Sequence, residues 1–420
     1  MTDDELRDDF GDEITDALRV RARGAAEPPP VQRELRLARS RRHTVAAAVV
    51  AFAVGAAAAV GVALLVTRDN QERVRVGNGP QPASTTTPSA LAPLATGIES
   101  WTWVNEEHGW ALLRRPCGNN VCSVLRETSD GGRTWRTLPA PTGAPVSGVR
   151  FATPKFGWLF GPALFETRDG GKTWTRTNSD RVVDVEAAHG VAMRMTTADR
   201  DCGNGCAQYL DLTKSGAGGW QRLPGPPTYQ FPQLLLQGSD TYVASIPNFA
   251  GAGQADLRAS RDEGATWTDI GDPCSQGENG YRTASASAAP GGVLVVLCLP
   301  VDQQRGTIRV STDRGQTFGA PHAVPSIPLN AYSSAVAAGS AQTIAVAYTD
   351  DHQGGVVVSN DGGATWHTTL QPAAPPTTAS TYRPTLGWQD AKTARVSFNT
   401  DAIWTTRDSG RSWTRHRVSS

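Results

Sequence analysis

From Val149 to Trp174 the apolar positions arrive in short bursts separated by turn residues. Val149 and Phe151 form one burst, Gly157-Trp158-Leu159-Phe160 a second, and Ala163 to Phe165 a third. Runs this short, alternating or fully apolar and bounded by Gly, Pro and Asp, predict strands and not helices. The octet Thr167 to Trp174, T-R-D-G-G-K-T-W, then turns the chain into a fourth strand. Its chemistry suits a tight turn. The Asp169 carboxylate can accept hydrogen bonds from the backbone N–H groups that follow it. Gly170 and Gly171 reach positive φ without a Cβ clash. Trp174 brings a large apolar body to bury.

The octet recurs as TSDGGRTW at 128–135, SRDEGATW at 260–267, STDRGQTF at 311–318, SNDGGATW at 359–366 and TRDSGRSW at 406–413. A worn copy, TKSGAGGW at 213–220, has Ser215 in place of the aspartate. The closing aromatics stand at 135, 174, 220, 267, 318, 366 and 413, in steps of 39, 46, 47, 51, 48 and 47 residues. Units of that length with four short strands each predict an all-β, seven-bladed β-propeller over residues 97–420. Each blade is expected to run strand, strand, strand, octet, strand, with the first and last blades whole. The ring then closes through face contacts, without a shared strand.

Ahead of the repeats the pattern changes. Residues 1–43 form a polar tail whose first 16 residues carry eight acidic side chains against Arg7 alone, followed by eight arginines in 17–43. Residues 44–66 hold no charge. As a helix these 23 residues span roughly 34 Å, against a hydrocarbon core of about 30 Å. Five arginines between 33 and 42 precede the run, while Arg68 after it is balanced by Asp69. That bias predicts a signal anchor with a cytoplasmic N-terminus and an extracellular propeller. Residues 67–96 include a Pro/Ser/Thr/Ala tract that cannot bury enough apolar surface to fold and reads as a stalk.

Zero formal net charge and the lack of a Lys/Arg block among the repeats argue against a nucleic-acid partner. Six cysteines fall into neighbouring pairs, Cys117 with Cys122, Cys202 with Cys206, and Cys274 with Cys298. They read as disulfides of an oxidising compartment. A metal site is the rival reading, but no histidine lies near either short pair and the spacings are not those of zinc knuckles. No metal or cofactor is expected.

The octet is similar to the Asp-box, or bacterial neuraminidase repeat. The longer frame F-x5-G-W followed by T-x-D-G-G-x-T-W, as at Phe151 to Trp174, resembles repeats of photosystem II stability and assembly factors. That resemblance implies a seven-bladed propeller acting by binding. It also implies that Asp130, Asp169, Asp262, Asp313, Asp361 and Asp408 are structural turn residues and not catalytic ones. Sialidases share the box, yet their arginine motif at the start of the propeller has no counterpart between Arg75 and Arg114. Tyr382-Arg383-Pro384 is only a look-alike in the wrong blade, and Tyr281 with Glu278 lacks corroboration. The acidic-then-basic tail resembles that of anti-sigma-type membrane proteins, without their zinc-binding His/Cys signature.

In this strand order the second-to-third-strand loops and the blade-to-blade loops share the face opposite the octets. Binding residues favour such loops on a rigid scaffold. The candidates are Arg200, Asp201, Phe249, Asp302, Arg305, Asp351 and His352, with an unknown protein or cell-surface glycan as partner. A sialidase-like or other glycoside hydrolase is the alternative. It requires three arginines or two facing carboxylates in the central mouth. A transmembrane sensor with a regulatory tail is the third reading.

Overall fold

The computed structural model describes residues 97–419 apart from 118–119, 143, 178–179, 198–207, 215–218, 225–231, 246–255, 276–280, 301–305, 328, 330–332, 350–353, 373–383 and 399. The expected tail, membrane helix and stalk lie outside the described residues. Twenty-eight strands form seven four-stranded antiparallel sheets, each pairing its strands in chain order. These are the seven blades of a β-propeller. They span residues 97–138, 148–177, 181–222, 232–271, 281–323, 334–370 and 385–417. The first strand of each blade is the inner one, and the inner strands of successive blades touch.

The octet turn makes each meander possible. In blade two the Thr167 hydroxyl donates to Asp169 Oδ1 at 2.8 Å and accepts from the Gly171 N–H at 2.9 Å. Asp169 Oδ1 also accepts from the Lys172 and Thr173 N–H groups, and Oδ2 accepts from the Thr173 hydroxyl at 2.6 Å. The same hydroxyl-to-carboxylate bond recurs at Thr134–Asp130, Thr266–Asp262, Thr317–Asp313, Thr365–Asp361 and Ser412–Asp408. In blade three, Ser215 lies outside the described residues. There the Thr213 hydroxyl instead donates to the Gly219 carbonyl at 2.8 Å.

The octet also builds the seams. In the six octets outside blade three, the fifth residue is a glycine with φ between 82° and 99° that lies against the preceding blade. A Cβ on Gly171 would stand 3.0 Å from Leu138, one on Gly363 2.8 Å from Ile308, and one on Gly410 2.8 Å from Val358. The octet aromatic then enters the same seam. Trp174 packs on the cluster around Leu112 and Leu125, Trp220 on Trp158 and Phe160, and Trp267 on Met193 and Val243. Phe318 joins Tyr242 and Leu257, Trp366 joins Val295 and Ile308, and Trp413 joins Val356 and Val358. Trp135 of blade one packs on Ile403 and Val418 of blade seven, so the seventh seam repeats the other six. The octet aromatics are partly buried, so each contributes less than the about 1.5–3 kcal/mol of a fully buried side chain.

Closure uses no shared strand, as expected. The Ile98 N–H donates to the Thr400 carbonyl at 2.9 Å, and Trp101 Nε1 donates to Ser397 Oγ at 2.9 Å. Two of the expected disulfides are formed. Cys117–Cys122 braces the hairpin between the second and third strands of blade one. Cys274–Cys298 joins the segment leaving blade four to the second strand of blade five, across their seam. Cys202 and Cys206 lie outside the described residues.

Candidate functional site

The seven inner strands face one another across a central channel, so their free edges need partners that no eighth strand supplies. At several seams, side chains of the preceding blade supply them. Ser100 Oγ accepts from the Val149 N–H at 3.1 Å. Gln233 forms two hydrogen bonds with Ala286, donating to its carbonyl at 2.9 Å and accepting from its N–H at 3.1 Å. Ser285 accepts from the Val336 N–H, and Ser287 from the Ala338 N–H.

Within this ring lies a cavity of about 630 Å³, lined by the inner strands of blades two to seven. Its walls differ. Blades five and six present Ala286, Ala288, Ala335 and Ala337, and blade seven adds Leu386 and Trp388. The charged groups cluster on the opposite side: Arg150 of blade two with Asp184 and Glu186 of blade three. A bulge sits in the inner strand of blade three, where the pairing with the second strand skips Val183. This places Val183 beside Asp184 on the cavity wall, instead of sending it to the other face.

The charges are arranged with care for hydrogen bonding. Arg150 Nε and Nη2 both donate to Glu186 Oε1, at 3.0 and 2.8 Å. Its Nη1 donates to Ser100 Oγ and to the carbonyls of Val149 and Trp101. Burial works against this guanidinium's charge, but Glu186 and Asp184 more than offset it and hold its pKa above the ordinary value. Asp184 accepts from the N–H of Val185 at 2.8 Å and from that of Leu234. Desolvation first, and then the charge of Glu186, push its pKa up to about 6, against the pull of Arg150.

This arrangement limits the chemistry. Asp184 and Glu186 are two apart on one strand, so their side chains stand side by side, roughly 7 Å apart along the strand. A glycosidase pair flanks the scissile bond instead. Arg150 is the one arginine among the described lining residues, and it already serves Glu186 and the backbone. A three-arginine carboxylate clamp is therefore not assembled from the described wall.

The octet aspartates Asp130, Asp169, Asp262, Asp313, Asp361 and Asp408 sit in their turns, away from the described cavity wall. Each has its pKa lowered to about 2. In Asp130, Asp169, Asp313 and Asp361 the bond from the seventh-position hydroxyl is the largest cause. Arg200, Asp201, Phe249, Asp302, Arg305, Asp351 and His352 lie outside the described residues, as do Glu278 and Arg383. Arg150, Asp184, Glu186 and Gln233 were not among the sequence candidates. A signal for Asp184 and Glu186 is present in V-V-D-V-E at 182–186, where carboxylates recur at strand spacing inside an apolar run.

No protein-family model and no curated protein matches the chain. Among solved structures, YCF48 bound to D1 peptide is similar, with a TM-score of 0.47 and 18% identity over 76% of this chain and 92% of that one. YCF48 from Cyanidioschyzon merolae gives 0.49 and 16%, covering 76% and 95%. An ancestral GH74 enzyme gives 0.54 at 9% identity, covering 77% of this chain and 46% of that one. The last supports the fold and nothing finer.

Proposed function

We propose that this is a single-pass, signal-anchored membrane protein whose propeller stands outside the cell on its stalk. The propeller is a non-catalytic binding module that receives a protein or glycan partner at the central channel and the loops around it. The observation that carries the binding role is the channel itself. It is a cavity of ligand size whose carboxylates face it while its one described arginine is committed to the scaffold. The orientation rests on the arginines before residue 44 and the uncharged run 44–66.

A glycoside hydrolase is the second reading, favoured by two channel carboxylates, of which Asp184 has a raised pKa. Their side-by-side placement on one strand opposes it. The test uses the full-length chain displayed on cells. Val183→Trp narrows the channel, and alanine at Arg200, Phe249 and Arg305 strips the candidate loops. Recovery of a surface partner by affinity capture is expected to fall in both variants, with no turnover of a fluorogenic sialoside or of xyloglucan. Unaltered recovery in both variants overturns the binding reading. Turnover abolished by Asp184→Asn establishes the hydrolase.

A further inference from the structure

The polar valences of the channel can be counted, and the count has a sign. Two carboxylates against one guanidinium leave one uncompensated negative charge on the described wall. Arg150 is committed to the scaffold, since Nε and Nη2 each donate to Glu186 and Nη1 donates to blades one and two. Both bonds from Arg150 fall on Glu186 Oε1, which leaves Oε2 to the channel. Among the described residues, Asp184 accepts hydrogen bonds from backbone N–H groups, which orient the carboxylate without neutralising it. The Gln233 amide is spent on Ala286.

Across the cavity stand Ala286, Ala288, Ala335 and Ala337, with Leu236 and Leu386 beside them. Small apolar residues there leave room for a slender aliphatic stem facing an acidic wall. A long basic side chain has that division, an apolar stem ending in a charged head. Ser285, Ser287 and Thr385 also line the cavity and can answer hydroxyl groups, so what favours a cation over a neutral sugar is the uncompensated negative charge.

Resting on the reading of the channel as the binding site, we infer that it receives a lysine or arginine side chain of a partner polypeptide. The stem lies along the alanine wall, and the ammonium or guanidinium donates to Asp184 and to Glu186 Oε2. The partner thus supplies the cation that the blade-three strand lacks.

The test is selection of a random peptide library on the full-length chain held in lipid nanodiscs, with an array of neutral and amino-sugar oligosaccharides probed in parallel. Selected peptides are expected to be enriched at least tenfold in lysine or arginine at one position. Asp184→Asn removes the charge, keeps the size of the side chain and retains an oxygen that can accept from the Val185 N–H. It is expected to weaken the selected peptides at least tenfold, as is Glu186→Gln, and Val183→Trp to abolish them. Norleucine in place of the selected basic residue should cost as much as Asp184→Asn. Peptides selected without a basic residue but blocked by Val183→Trp overturn the cation and leave the channel reading standing. Oligosaccharides bound in place of peptides and blocked by Val183→Trp overturn the polypeptide. Failure to select any ligand, or selection indifferent to Val183→Trp, overturns both.

Discussion

The guanidinium of Arg395 in blade seven lies 3.7 Å from the ring centroid of Trp103 in blade one. The pair sits on the seam that closes the ring. Arg395 is 2% exposed, yet its hydrogen bonds go to the Gln389 side chain and the Glu106 carbonyl, and no ion pair forms among the described residues. Burial first, and then the nearby Arg407, push its pKa down to about 9. The aromatic face therefore stands where a carboxylate would otherwise be needed, and the closing contact combines a cation–π contact with packing.

Because no carboxylate would be orphaned, replacing Arg395 by an apolar residue of similar length removes a desolvation cost with little left unpaired. Arg395→Met is expected to change unfolding stability by less than about 1 kcal/mol. Arg395→Ala opens a void beside Trp103 and is expected to cost about 2–4 kcal/mol. Urea denaturation followed by tryptophan fluorescence distinguishes them. Equal losses would mean that the charge on the indole face, and not packing, holds the seam.

Neighbouring octet positions predict opposite signs. Ser409 has φ 60°, a left-handed conformation that costs a residue with a Cβ. Ser409→Gly is expected to gain about 0.5–1 kcal/mol, despite losing its bond to the Ala391 carbonyl. Gly410, with φ 82°, faces Val358, whose side-chain atoms would lie 2.8 to 3.3 Å from an added Cβ. Gly410→Ala is expected to cost about 2–3 kcal/mol. Thermal melts of the two variants check the contrast.

That contrast also explains what the sequence made legible. The octet's turn is local chemistry, written in eight consecutive residues, so the blade count could be read from its period. The seam partners of Trp135 and Arg395 come from the opposite end of the chain, where no period points to them. Asp184 and Glu186 could be placed on one strand face, but which face met the channel depended on that strand being innermost. The bulge at Val183 carries no composition signal of its own. Cys274 and Cys298 could be paired as neighbours, while their crossing of a seam required the boundary between blades four and five.

The two described disulfides should differ in effect. Cys274–Cys298 closes a separation of 24 residues and staples two blades, whereas Cys117–Cys122 closes 5 within one hairpin. Chain-entropy arguments give about 3–4 kcal/mol for the longer loop and about 2 kcal/mol for the shorter. Alanine at both cysteines of each pair is expected to lower the urea midpoint in that order. Equal losses would indicate that the blade-four to blade-five seam holds without its staple.

The acidic groups predict two separate pH windows. The six octet aspartates titrate near 2 in the fold, against about 3.9 in an unfolded chain. The unfolded state then binds more protons, so their contribution is complete above about pH 4 and is lost as pH falls through about 2. Asp184 behaves oppositely. Its folded pKa, raised to about 6, favours the protonated form, so its contribution is present below about pH 4 and lost as pH rises through 6. Asp184→Asn is therefore expected to raise stability at pH 7 by about 1 kcal/mol, less than the shift alone implies because channel water screens the charge. It should have little effect at pH 4, while Asp169→Asn should flatten the acid limb between pH 4 and 2. Melting temperatures recorded from pH 2 to 8 separate the windows. A stabilisation by Asp184→Asn that is equal at pH 4 and pH 7 would show that its carboxylate is not desolvated in the channel.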